Sequence, residues 1–416
     1  MSNRYFSHKQ WLLELRNHLA EERYAAGTSR QCLAVARNFL DSLDKQHVGV
    51  SAAQPANVEA YLRQARQMYR RRHGHPPDYK GWQCLQTNGV HMLLRLVQGQ
   101  WPPVSKAVTP AEIAHNEICT EYAQWMITLR GFAPQTVTHR RDEAARFLDW
   151  LGNRATKEGL ALLTTVDVDG YMKHRAELLC RHSLKDVATK IRSFLHWLHI
   201  SKQSPRDLSS CVIAPLLYAF EGVPSALEAE NVKEVLVVTR RDCTPKGIRD
   251  YAILMLISKY GLRSGEITAL RLDDIDWRKE VIRIRHSKTG ATSYLPFLPE
   301  IGESMLKYLQ RSRPKTSFRE IFIRCRAPYR PFKGGSSVYG LVRQRLEAAS
   351  VITKSKRGPH AFRHARAVSM LRAAVSVKDI GDLLGHRAAD STLVYLKLAT
   401  EDLRAVALEI PTGVKA

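Results

Sequence analysis

Tyr260-Gly-Leu-Arg-Ser-Gly-Glu-Ile267 places Arg263 just beyond an apolar helical stretch, with Glu266 three residues later to hold it. His360-Ala-Phe-Arg-His364 puts His360 and Arg363 at i, i+3, on one face of a helix. Leu383-Leu-Gly-His386 is followed nine residues on by Tyr395, and Lys288 stands at the tip of an expected hairpin. Arginine, lysine and histidine together can neutralise a phosphate, and a tyrosine hydroxyl can attack one. The combination suits phosphoryl chemistry without a metal, in which cations take up the charge and the protein supplies its own nucleophile.

Other chemistries lack their residues. The chain has no G-x-x-x-x-G-K-[ST] phosphate loop, no H-E-x-x-H and no cluster of carboxylates suited to two metal ions, so neither cofactor nor metal is expected. Each residue of the set also has a structural reading. Arg263 with Glu266 reads as a helix-end ion pair, His360 as a capping residue after Gly358-Pro359, and His386 as a histidine at a helix C-terminus. Tyr395 reads as a core aromatic among Leu393, Val394, Leu396 and Leu398, while Lys279 or the hairpin arginines could take the place of Lys288.

Arg, Lys, His-x-x-Arg, Gly-His and Tyr in this order, with these flanks, resemble the tyrosine recombinase (phage integrase) family across residues 225–410. The resemblance implies that Tyr395 attacks the scissile phosphodiester to form a 3′-phosphotyrosyl link and free a 5′-hydroxyl. Arg263 and Arg363 would clamp the non-bridging oxygens. His360 and His386 would donate to the phosphate and help with the nucleophile's proton, and Lys288 would protonate the departing 5′-oxygen. Because the bond energy stays in the phosphotyrosine, rejoining needs no ATP. A phenol ionises near pH 10, so Tyr395 must be activated by the cations around it.

The elements that position this set lie in a strongly basic chain, with 64 Lys+Arg against 40 Asp+Glu and a formal charge of +24. Such an excess on a folded chain points to nucleic acid ahead of a membrane surface. Residues 225–416 carry +15 of it, residues 1–105 +7 and residues 106–224 +2. Seven scattered cysteines without a C-x-x-C pair argue for a reducing compartment. With no signal-peptide core and no apolar run long enough to span a bilayer, a cytoplasmic, nucleoid-associated bacterial protein is expected.

Prolines at Gln100-Trp-Pro-Pro103 and Gly222-Val-Pro224 divide the chain into domains expected at 1–105, 106–222 and 223–416. The first two echo each other: 24–43 and 132–151 share seven of twenty residues at an offset of 108, and Val58-Glu-Ala-Tyr-Leu62 is echoed by Val168-Asp-Gly-Tyr-Met172 at an offset of 110. Each reads as four helices, near 28–43, 58–69 and 82–97 after a Leu12, Leu15, Leu19 stripe, and near 111–128, 134–151, 166–178 and 183–200. Thr28 and Thr136 sit where N-caps are expected. The last domain is mixed, with helices near 231–238, 248–260, 337–350, 361–374, 377–384 and 392–397, and strands at 281–286 and 292–297 joined at Lys288-Thr-Gly290. The expected fold is two all-α, SAM-like DNA-binding modules followed by a mixed α+β tyrosine-recombinase catalytic domain.

Arg140, Arg141, Lys185, Lys190 and Arg192 in the middle module, and Arg283 and Arg285 on the hairpin, are expected phosphate contacts; Arg70-Arg-Arg72 reads equally as a solvated helix end. The residues after Tyr395 carry an apolar stripe (Leu398, Leu403, Val406, Ala407), which in the resembled family docks on a neighbouring protomer and here would alternatively fold back on its own domain. The expectation is a mobile-element integrase or transposase acting on double-stranded DNA, with inverted repeats at its sites. It would work as a tetramer on two duplexes, with other recombinases of the same element as further candidate partners. Two rivals are a non-catalytic accessory or repressor protein on the same scaffold and a relaxing topoisomerase.

Overall fold

Leu15 and Leu19 lie one turn apart and are both fully buried, so the first amphipathic helix has one apolar side to hide. In the computed structural model, which describes residues 2–103, 109–218, 226–286, 290–353 and 357–385 (backbone only for 2–7, 79 and 80), that side packs on the second and fourth of four helices. These are α1 (Ser2–Glu21), α2 (Ala26–Lys45), α3 (Pro55–His73) and α4 (Tyr79–Gln98). Phe39, Leu40, Leu43, Leu93 and Leu94 form their core. Two compact units divide the chain, one of residues Met1–Pro103 with Gly222–Ala416, the other of Val104–Glu221.

The second unit contains α5 (Pro110–Thr128), α6 (Pro134–Leu151), the short α7 (Lys157–Ala161), α8 (Thr165–Leu178) and α9 (Arg181–Ile200). The echo in the sequence has a counterpart in local structure. α2 and α6 both begin after an alanine with the same backbone angles (φ −58°, ψ 141° and 144°), at Ala25 and Ala133, 108 residues apart. α3 and α8 each begin with a capping box, Gln54 with Asn57 and Thr164 with Asp167. Phe39 meets Tyr61 edge-on at 5.4 Å, and Phe147 meets Tyr171 edge-on at 5.0 Å. Thr28 and Thr136 are not the caps: both helices start two residues before them, α6 because Pro134 fixes the first helical φ.

The rest of the first unit contains α10 (Ala229–Arg241), α11 (Pro245–Tyr260) and α12 (Ser264–Ala269). A three-stranded antiparallel sheet follows, β1 (Ile275–Asp276), β2 (Val281–Arg285) and β3 (Thr292–Pro296). Then come α13 (Pro299–Arg311), α14 (Gly335–Ala348), α15 (Pro359–Arg372) and α16 (Val377–Leu384). The hairpin has the expected strands, with Ile284 opposite Ser293 and Arg285 opposite Thr292. α7, which makes five helices where four were expected, α12, β1 and α13 were not foreseen, although Ile301, Met305 and Tyr308, all buried, follow helical spacing. The expected helix at 392–397 lies outside the described residues.

α11 is buried nearly all round and forms the spine of this domain. Its Asp250 is fully buried and accepts from Arg249, Lys246 and Arg345, which fastens α11 to α14. A buried carboxylate survives only with such partners. At its end, the Tyr260 hydroxyl donates to the Pro296 carbonyl and accepts from the Leu298 N–H, locking the helix to the end of β3. Within the same unit, Arg23 donates to the Lys315 carbonyl at 2.7 Å and lies over the Tyr329 ring, and Glu22 pairs with Arg330.

Candidate active site

Gly261 ends α11 in the left-handed region, φ +67°, and a Cβ there would lie 2.6 Å from a Leu384 methyl. Only glycine lets the chain turn this closely under α16. The turn delivers Arg263 to the N-cap of α12, where Glu266 holds it twice. The Arg263 N–H donates to Oε2 at 2.7 Å and its Nη1 to Oε1 at 2.9 Å. The pairing expected from their spacing is therefore present, with Glu266 buried to 3% exposure.

Arg363 comes from α15 and is as deeply buried. Its Nη1 donates to the Gly261 carbonyl and its Nη2 to the Leu384 carbonyl, both at 2.6 Å. Arg263 Nη2 donates to the next carbonyl, Gly385, at 3.3 Å. The two arginines thus converge on the C-terminal turn of α16, whose carbonyls form the negative end of the helix. Two like-charged guanidiniums held side by side need such acceptors, or an anion, between them.

His360 is in the first turn of α15 and exposed, whereas Arg363 on the next turn is buried, so their shared helix gives them different surroundings. Lys288, His386 and Tyr395 lie outside the described residues. Their flanks are described. The His286 N–H donates to the Ala291 carbonyl and the Gly290 N–H to the His286 carbonyl, closing the stretch that contains Lys288, while Gly385 immediately precedes His386.

The sequence reading missed His286. It is 2% exposed, with Nδ1 2.8 Å from Glu266 Oε1 and Nε2 2.9 Å from Ser293 Oγ. A carboxylate can only accept here, so Nδ1 carries the proton. The signal was a histidine two residues before Lys288, and nothing in the sequence linked it to Glu266, twenty residues upstream. For Glu266, burial works to raise the carboxyl pKa, but hydrogen bonds from His286 and from the Arg263 N–H and guanidinium outweigh it, leaving it below its ordinary value.

Gly385 closes α16 at φ +61°, and a Cβ there would lie 2.5–2.7 Å from three atoms of the His286 ring. Gly385→Ala is therefore expected to destabilise the protein. Left-handed backbone costs a non-glycine residue about 1–2 kcal/mol, and pushing the ring aside costs about 1–3 kcal/mol more. Thermal unfolding would show this as a drop of several degrees, and an unchanged midpoint would disprove the contact.

Arg283 and Arg285 share Asp274, which accepts from both and is buried. Both remain more than a third exposed as side chains. In the second unit Arg140 stacks over Phe132, Arg141 pairs with Asp142, Lys190 with Asp186, and Arg192 donates to the Val212 carbonyl; Lys185 is exposed. Among the described residues, His8, Asp41 and Asp44 alone group as metal-ligand types, on α1 and α2 and apart from the arginine pair. No described helix is long and apolar enough to cross a membrane.

A family model described as the phage integrase family matches residues 225–402. An integrase/recombinase of Sinorhizobium fredii is 57% identical over 189 residues, covering 45% of this chain and 97% of its own. A second integrase/recombinase of that organism is 34% identical over 305 residues, covering 72% of this chain and 73% of its own. The crystal structure of a lambda integrase tetramer bound to a Holliday junction matches with a TM-score of 0.51 at 16% identity, covering 74% of this chain and 85% of that one. At that identity the likeness speaks for the fold.

Proposed function

From the premise that the chain belongs to the phage integrase family and is a tyrosine site-specific recombinase, we propose how its own residues carry out the reaction. The observation that carries the proposal is the convergence of Arg263 and Arg363 on the Leu384–Gly385 turn, one residue before His386. A scissile phosphate docked there meets two guanidiniums whose planes are already set, so little reorganisation remains for the transition state.

The Tyr395 oxygen attacks phosphorus in line with the 5′-oxygen. A bond forms between the phenolic oxygen and phosphorus as the bond from phosphorus to the 5′-oxygen breaks. The phenol's proton passes to the site's histidines, His360 and His386, and Lys288 gives a proton to the departing 5′-oxygen, which leaves as a hydroxyl. Arg263 and Arg363 stabilise the charge on the non-bridging oxygens. Attack by a 5′-hydroxyl from another strand reverses these steps and rejoins the DNA, with no net consumption of nucleotide. The non-catalytic accessory or repressor reading is disfavoured because a binder has no use for two arginines anchored in this way.

The partner is double-stranded DNA, and we place its recombination sites at inverted repeats bounding a mobile element. Residues 1–105 and 106–222 are read as two related helical modules, supported by the recurring helix starts and aromatic pairs. Arg140, Arg141, Lys185, Lys190, Arg192, Arg283 and Arg285 are proposed to touch phosphates, with Asp274 ordering the last two. Four protomers on two duplexes give the geometry that strand exchange requires, and partner recombinases of the same element fit that arrangement.

The test is covalent capture. Full-length protein is incubated with sheared DNA of its source genome, fragments retained through a denaturing wash are sequenced, and the recovered site is rebuilt as a nicked duplex. Wild-type protein is expected to form a denaturation-resistant adduct on that duplex, and Tyr395→Phe none. No wild-type adduct, or an undiminished one with the phenylalanine, refutes the mechanism.

A further inference from the structure

We infer that His286 is a positioning residue, holding the Glu266 carboxylate, and through it Arg263, in register with the hairpin that carries Lys288 and with the turn that precedes His386. The inference rests on the catalytic reading of Arg263 above.

Three parts of the site meet at this one ring. Nδ1 donates to Glu266 Oε1, the same oxygen that accepts from Arg263 Nη1. Nε2 bonds to Ser293 on β3, and the backbone of His286 continues the β2–β3 ladder to Ala291. The ring face lies against Gly385, where even a methyl group would not fit. Bonds at opposite corners stop the ring from rotating, and burial excludes water as a substitute partner. Any displacement of the hairpin therefore moves the ring, the ring moves Oε1, and Oε1 sets the angle of the Arg263 guanidinium. Partners that orient the groups of a site act in this way without touching the substrate.

A histidine that merely filled space would value its two hydrogen bonds alike, and this separates the readings. The asparagine amide nitrogen overlays Nδ1, so His286→Asn keeps the bond to Glu266 and loses Ser293. The glutamine amide reaches the Nε2 position, so His286→Gln keeps Ser293 and abandons Glu266. Both variants, with Ser293→Ala, are assayed as full-length protein on the nicked duplex described above, by single-turnover adduct formation, DNA affinity and thermal midpoint.

The expected result is a cleavage rate for His286→Asn and Ser293→Ala within a few fold of wild type. His286→Gln is expected to be slower by roughly 10- to 100-fold, the usual loss when an orienting partner is removed, at unchanged DNA affinity. Equal rates for the Asn and Gln variants overturn the inference. If His286→Asn does not fold, Ser293→Ala decides: a loss as large as that of His286→Gln overturns it. Absence of adduct from the wild type refutes the catalytic reading and this inference with it, whereas a normal wild-type adduct with equal variants refutes this inference alone.

Discussion

Arg363→Ala is expected to lower the rate of strand cleavage by at least roughly 100- to 1,000-fold, the loss seen when one preorganised donor to a developing oxyanion is removed. The argument begins with burial. At 3% exposure the guanidinium has given up its water, and the Gly261 and Leu384 carbonyls replace that water at 2.6 Å. Such an arrangement costs stability unless the charge is needed, since a buried ionic group is on average no better than a well-packed apolar one. The alanine variant leaves two carbonyls without their donor, at about 1–3 kcal/mol for each unsatisfied buried group, and thermal unfolding should register it. Arg363→Lys separates the effects. Lysine restores the charge, but its single ammonium cannot reproduce the fork that spans both carbonyls. Its cleavage rate should therefore stay far below wild type while DNA affinity is largely kept, the pattern of an interaction made in the transition state. Near-normal cleavage by either variant would remove Arg363 from the site.

The second large effect concerns Glu266. Glu266→Ala strips Arg263 and His286 of their common acceptor, and breaking a buried charge pair on one side costs about 3–5 kcal/mol. Glu266→Gln keeps the shape and gives a cleaner test through pH. The carboxyl of Glu266 titrates below its ordinary value in the folded protein. The stability it contributes is therefore complete above the unfolded carboxylate pKa of about 4.3, and is lost as the pH falls through the lowered folded value. Wild type should thus exceed Glu266→Gln in unfolding free energy at neutral pH, and the gap should close in acid below about pH 4. A gap that widens on acidification would mean that the carboxyl is neutral in the folded state and that Arg263 is held by something else.

The sequence displayed some of this site plainly and hid the rest for identifiable reasons. Arg263 with Glu266 was legible because a helix start brings residues three apart together, and the structure has that pair. Helix spacing revealed α5, α6, α8 and α9 to within a few residues, yet misplaced the caps at Thr28 and Thr136; for α6 the reason is Pro134, since a proline at the first helical position can begin a helix without a side-chain cap. α13 escaped notice although its apolar residues were periodic, and β1 is two residues long, too short for alternation to show. His286 was invisible for another reason. Its partner is far away in sequence, and a histidine at the end of a strand carries no mark of burial. Arg283 and Arg285 were legible as hairpin cations, but their shared acceptor Asp274, which belongs to a turn before the sheet, was not. Long-range polar contacts leave no periodic trace, whereas periodicity is what a single sequence offers.

The most direct test of the mechanism is to locate the covalent bond. Adduct formed on the nicked duplex is digested with nuclease and then trypsin, and the peptides are sequenced by mass spectrometry. Cleavage after Arg387 and Lys397 isolates residues 388–397, in which Tyr395 is the sole hydroxyl-bearing aromatic. The account predicts a nucleotide joined through its 3′-phosphate to Tyr395 on that peptide, with a free 5′-hydroxyl on the released strand. A nucleotide on any other residue, or a 5′-phosphate linkage, would contradict it.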